Sequence, residues 1–212
     1  MRRLRLIWSL IALVGTAVLA VGCRGRAEVD LTVFERINNA LLTMTSYEAL
    51  ATVTYISNNS QHTYQTRQQA RISGEYRIEV LGPERVAGNV TVNDNQTITQ
   101  FNTRVQGRFS VSPVEVPERL ELFVTSFVRN YLRSQEQSIA ASTVDGSPVT
   151  VLEATIPGEH PFLRSERLWV CNETLNPLKL TIYDPDGMER VVIAFESFQF
   201  NVDFDDSIFR MN

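Results

Sequence analysis

Histidine and cysteine are nearly absent from this 212-residue chain, which holds two of each. His62 and His160 are far apart in sequence and neither is accompanied by clustered cysteines, so no ligand set has the spacing of a metal site. Cys23 and Cys171 allow at most one bridge, and stability has to come from packing. Catalytic signatures are missing as well. There is no G-x-S-x-G, no H-E-x-x-H and no phosphate-binding glycine loop. The nearest carboxylate groups, Glu75 with Glu79 and Asp203 with Asp205 and Asp206, have no His, Lys or Ser partner at a working spacing. A solvated strand face accounts for them. Positive charge is in deficit, with 20 basic residues against 24 acidic ones. An acidic domain repels nucleic acid and anionic headgroups, so nucleic acid is not an expected partner. These absences predict a protein that is not an enzyme and uses no cofactor.

Long apolar runs are also scarce; there is one, at the start. Arg2, Arg3 and Arg5 precede an uncharged segment over residues 6–23, the layout of a secretory signal. As a membrane span, those 18 residues are at the short end. The segment closes on "VLAVGC", and Ala20-Val21-Gly22-Cys23 resembles the lipobox of bacterial lipoproteins. That resemblance implies a signal peptide over 1–22, cleavage before Cys23, and a diacylglyceryl group on the Cys23 thiol. Two or three acyl chains anchor a protein stably where one does not. The expected location is extracytoplasmic, lipid-anchored to the cell membrane. Arg24 after the cysteine is compatible with an outer membrane where the cell has one. Without the three N-terminal arginines the 20 basic residues fall to 17, and the formal charge over 23–212 becomes −7. Residues 23–30 are polar and read as a tether, and 31–212 suit one domain with a sizeable core. With Cys23 lipidated, Cys171 is alone and reads as a small apolar strand residue.

Past the tether, apolar residues first recur at helical spacing: Leu31, Phe34, Ile37, Leu41 and Met44, with Asp30 placed to cap the helix. The period then changes to two in "YEALATVTYIS". "TYQTRQQARI" predicts a partner strand with one wet face, and "EYRIEVL" alternates cleanly up to Gly82-Pro83. "NVTVND" and "NQTITQFN" flank a hairpin turn, and "GRFSVS" makes one more short strand. Pro117 opens the second amphipathic helix, carrying Phe123, Phe127 and Tyr131. Asp145-Gly146 and Asp184-Pro185-Asp186-Gly187 mark later hairpins, and residues 158–166 ("GEHPFLRSE") read as a polar loop. Trp169 is expected in the core with a partner for its indole N–H. About ten or eleven strands joined by short turns predict one antiparallel sheet, and a sheet that long curls.

The order of these pieces resembles the LolA/LolB-like superfamily of bacterial lipoproteins. The segments that carry it are "YRIEVLGP" (76–83), "VNDNQTITQFN" (92–102), the run from "LWVCNETL" to "FESFQFN" (168–201), and "DDSIF" (205–209). Asn95 departs from the family, which often has Gly there. The resemblance implies a mainly β, α+β fold: an incomplete antiparallel β-barrel whose concave face is covered by helices. It implies an apolar cavity that binds lipid or lipoprotein acyl chains without catalysis. A spore germination branch of the superfamily works instead with cell-wall (spore cortex) hydrolases, which implies a protein partner in the envelope.

Strand alternation nominates the cavity lining. On the first strand it picks Ala49, Ala51, Val53 and Tyr55, and on the third Tyr76, Ile78 and Val80. Val90 and Val92 follow, then Leu178, Leu180 and Ile182 near the C-terminus. Phe123, Phe127 and Tyr131 are the lid candidates. The same pattern is compatible with these residues packing on one another as a dry core.

Overall fold

The computed structural model describes residues 30–112, 122–160 and 162–211. The signal segment, Cys23, the tether to residue 29 and the Pro117 helix start lie outside the described residues. Helix α1 (Leu31–Leu42) begins where the sequence places it, because the Asp30 carboxylate accepts the free N–H groups of Thr32 and Val33. It buries Ile37 and Leu41. The second helix, α2, spans Val124–Arg133 and buries Phe127 and Tyr131. Among the described residues, no helix is long and apolar enough to cross a membrane.

The remaining chain forms eleven strands in a single antiparallel sheet. They are β1 (Ser46–Ile56), β2 (Gln61–Arg71), β3 (Tyr76–Gly82), β4 (Val90–Asn93), β5 (Ile98–Asn102) and β6 (Gly107–Val111). After α2 come β7 (Ser138–Val144), β8 (Ser147–His160), β9 (Leu163–Cys171), β10 (Pro177–Tyr183) and β11 (Glu189–Phe200). The spatial order is β6-β5-β4-β3-β2-β1-β11-β10-β9-β8-β7. Every neighbour pair is a sequential hairpin except the central one, β1 with β11. Turn chemistry explains the hairpins. Asp145 and Gly146 both have positive φ, 49° and 81°, as a two-residue turn of matching twist requires. Asn95 adopts φ 68°, a left-handed conformation that Asn tolerates better than other side chains, which is why it replaces Gly without loss of the turn.

Edge strands β6 and β7 do not pair, so the barrel is incomplete. The chain between them carries α2 across one face of the sheet. Phe123, beside α2, packs on Tyr76 of β3 with ring centroids 4.5 Å apart, while Asn130 of α2 bonds Glu166 of β9 at 2.8 Å. In a flat sheet β3 and β9, five places apart, would be separated by about 24 Å. The seven residues from Phe123 to Asn130 rise only about 10 Å along a helix. The sheet therefore curls around α2, and this concave face carries the core, with Ile37, Tyr47, Leu152, Leu168, Leu180 and Ile193 inside.

Two expectations are corrected. Residues 158–166 are the tip of a hairpin and not a loop: β8 runs to His160, β9 starts at Leu163, and these two residues pair. Gly158, at φ 92°, lies beside the register shift. Trp169 alternates with buried Leu168 and Val170, so it is on the convex face, half-buried, with the Lys179 ammonium 3.9 Å above its ring.

The convex face of β2 and β3 is covered too. Asp205 caps a short 3-10 turn (Asp206–Phe209) by accepting the Ser207 N–H. That N–H holds the Asp205 carboxyl below the usual carboxylate range. The turn buries Phe209, over which the Arg71 guanidinium sits at 4.9 Å while bonding Asp206 at 2.6 Å.

Candidate functional site: a hollow beside the packed core

The concave face divides into a filled half and an empty one. Ala49, Ala51, Phe127, Tyr131, Leu180 and Ile182 are buried in the dry core under the helices. Phe127 and Tyr131 stack on each other at 5.7 Å. Val53, Tyr55, Tyr76, Ile78, Val80 and Phe123 line a hollow of about 730 Å³ over strands β1–β6, and Val53, Tyr76 and Phe123 also belong to the core, so they form the boundary between the two halves. Val92 belongs to neither. It pairs with Arg77, whereas its neighbour Thr91 pairs with Ile78 and lines the hollow. Val92, and Val90 with it, faces the convex side, so the inward assignment of both is corrected. Leu178, next to a register shift in β10, is half-buried.

Among the described residues the lining contains no Asp, Glu, Lys or Arg. Val86, Ile98, Val111 and Leu122 add apolar surface. Phe109 on edge strand β6, 64% exposed, stands at the rim. The carboxylates weighed from sequence lie elsewhere. Glu79 is 3.9 Å from both Arg67 and Arg77, on the face opposite Ile78 and Val80.

Strand β2 supplies His62, Tyr64, Thr66 and Gln68 to the wall, whose other polar members are Asn89, Thr91 and Gln100. None of the four stood out in the sequence. The β1–β2 register places Tyr64 opposite Val53, Thr66 opposite Ala51 and Gln68 opposite Ala49. The signal was present: counting outward from the "SNNS" turn gives that register, and with it the inward face of a strand whose composition alone reads as wet.

Thr66 donates its hydroxyl to the Ala51 carbonyl at 3.1 Å and is satisfied. Gln68 is not. It is 0% exposed, its Oε1 accepts from the Tyr47 hydroxyl at 3.0 Å, and its Nε2 has no hydrogen-bond partner among the described residues. A buried amide donor left unmet costs about 1–3 kcal/mol. Tyr47 is itself fully enclosed, and burial pushes its phenol well above its ordinary pKa, while the Val124 backbone N–H directed at the phenol oxygen opposes that shift. Val124 is the first residue of α2, and no side chain caps that end. That start is held by packing, with Phe123 against Tyr76.

The other end of α2 is tied by Asn130, whose side-chain N–H₂ donates to the buried Glu166 carboxylate. Cys171 ends β9 half-buried, and hydrogen bonds from the Thr174 side chain and backbone hold its thiol below the ordinary pKa.

This chain belongs to the family of YdcC-like sporulation proteins, whose model matches residues 2–209. That match fits the LolA-like resemblance read from the sequence, whose spore germination branch is likewise tied to spores. No curated protein matches. Among solved structures, an uncharacterized conserved protein from Thermus thermophilus is similar with a TM-score of 0.53 and 11% identity, over 86% of this chain and 93% of that one. A chain of the complex between the CwlD amidase and the GerS lipoprotein from Clostridioides difficile gives 0.48 at 23% identity, over 84% and 99%. A LolA superfamily protein from Nitrosomonas europaea gives 0.45 at 13% identity, over 87% and 99%.

Proposed function

We propose that this YdcC-like sporulation protein is an extracytoplasmic, lipid-anchored protein that takes acyl chains of lipids or lipoproteins into its hollow, and that it works without catalysis. One observation carries the reading: an apolar hollow of about 730 Å³ lies open on the concave face of an unclosed sheet, with no Asp, Glu, Lys or Arg among the described residues of its lining. That volume is in the range of small-molecule sites. Burial of an acyl chain supplies about 0.8 kcal/mol for each methylene, so affinity needs no reactive group. The Cys23 lipobox supports the anchor, and the deficit of His, Cys and catalytic motifs supports the binding role.

The test uses the full chain reconstituted in vesicles with a trace of lipid carrying a photo-activatable group at its acyl end. Crosslinks should map to the peptides of Val53, Ile78, Val80 and Phe123. Ile78→Trp, which fills the hollow from β3, should reduce them at least about fivefold, the equivalent of roughly 1 kcal/mol. Labelling confined to the outer surface, unchanged in that variant, would refute the reading.

A second reading has its own observation. Edge strand β7, "SIAASTV", is mostly exposed and contains no charged residue and no proline, the devices that usually blunt an edge. A cell-wall (spore cortex) hydrolase is the partner this reading names, docking by strand addition. Co-purification of such an enzyme from sporulating cells, lost in Ile139→Lys, is the expected result.

A further inference from the structure

One row of side chains crosses the hollow from β2 to β6: Gln68, Ile78, Thr91, Gln100 and Phe109, each opposite the next in the strand register. Exposure rises along it, from buried Gln68, through half-buried Ile78 and Thr91, to exposed Gln100 and Phe109. The row thus runs from the inside of the hollow to its mouth at the β6 edge. Its polar members carry amide or hydroxyl groups and no charge.

The inner end has a defined orientation. The Tyr47 hydroxyl donates its one proton to Gln68 Oε1 at 3.0 Å. That fixes the Gln68 amide with Oε1 toward Tyr47, which is outside the hollow's lining, and leaves both N–H bonds of Nε2 unused. An unused buried donor calls for an acceptor. A carboxylate is a poor candidate, because among the described residues of the lining no Lys or Arg would compensate its charge. An uncharged carbonyl attached to an apolar chain satisfies both the donor and the surrounding Val53, Tyr76 and Phe123.

We propose, building on the acyl-chain reading above, that the hollow selects acyl chains bearing an uncharged ester or amide carbonyl, and that Gln68 Nε2 donates to that carbonyl. The rest of an uncharged head then follows Thr91 and Gln100 outward to Phe109, while the chain lies against Val53, Tyr76 and Phe123. Ester and amide carbonyls share this chemistry, the first from an acylglycerol and the second from an N-acylated polypeptide.

The experiment compares three photo-activatable probes on the full chain in neutral phosphatidylcholine vesicles at pH 8: an acylglycerol, an N-acyl dipeptide amide, and the ionised free fatty acid of the same length. Labelling of the hollow by one or both uncharged probes should exceed that by the fatty acid about tenfold, and which of them labels identifies the source of the carbonyl. The double variant Tyr47→Phe with Gln68→Leu, which removes donor and partner together, should still be labelled but lose the preference. Its melting temperature, read alongside, verifies that it is folded; if it is not, Gln68→Met carries the same comparison. Equal labelling by acid and ester, or a preference that survives the substitution, overturns this inference and leaves the acyl-chain reading intact. Failure of all three probes to label the hollow refutes both.

Discussion

At the level of single residues, alternation in the sequence found the hollow's apolar wall but not its polar floor. Val53, Ile78 and Val80 are where an alternating strand puts its greasy side. Val92 is not, because the C-terminal turn also covers part of the convex face, and hydrophobicity no longer tells inside from outside there. Gln68 was illegible for a related reason: its meaning depends on Tyr47, 21 residues earlier. Asp184 gives a test in solution. Its carboxylate accepts the Met188 and Asp186 N–H groups, both at 2.9 Å, and the Arg190 guanidinium at 2.6 Å. These partners, the Met188 N–H foremost, hold it below its ordinary value of 3.8. A depressed carboxylate stabilises the fold above that ordinary value, and the contribution is lost as pH falls through the folded value. Urea midpoints measured from pH 7 down to about pH 3 should therefore decline, and Asp184→Asn should flatten the lower part of that decline.

Among elements, the helices and hairpins were readable where capping or turn residues mark them. Asp30 starts α1 and Asp145-Gly146 turns β7 into β8. The β8–β9 tip was not readable, since its pairing is supplied by the ladder below it and its composition is that of a loop. Helix α2 depends on what holds its two ends. Asn130→Ala removes the partner of a fully buried carboxylate oxygen and should lower unfolding free energy by about 1–3 kcal/mol in denaturant titration. Asp30→Ala, at an exposed cap, should cost about 1 kcal/mol. If the two losses came out equal and small, the Asn130–Glu166 contact would not be the tie that keeps α2 seated.

For the whole molecule, the sheet consists of two runs of sequential hairpins, β1–β6 and β7–β11, joined only where β1 meets β11. Amide hydrogen exchange should be slowest in β1, β2 and β11, at the middle of the sheet, and fastest in β6 and β7, which have a neighbour on one side only. Uniform protection across all eleven strands would contradict that ordering. The central ladder has a further effect on the order of assembly. A chain that emerges N-terminus first can zip up its leading wing by itself, yet β1 must wait with a bare flank until the eleventh strand has emerged. For that interval the nascent protein offers a ready template to any extended peptide nearby, and a passing chaperone has its natural place of attachment along that waiting flank.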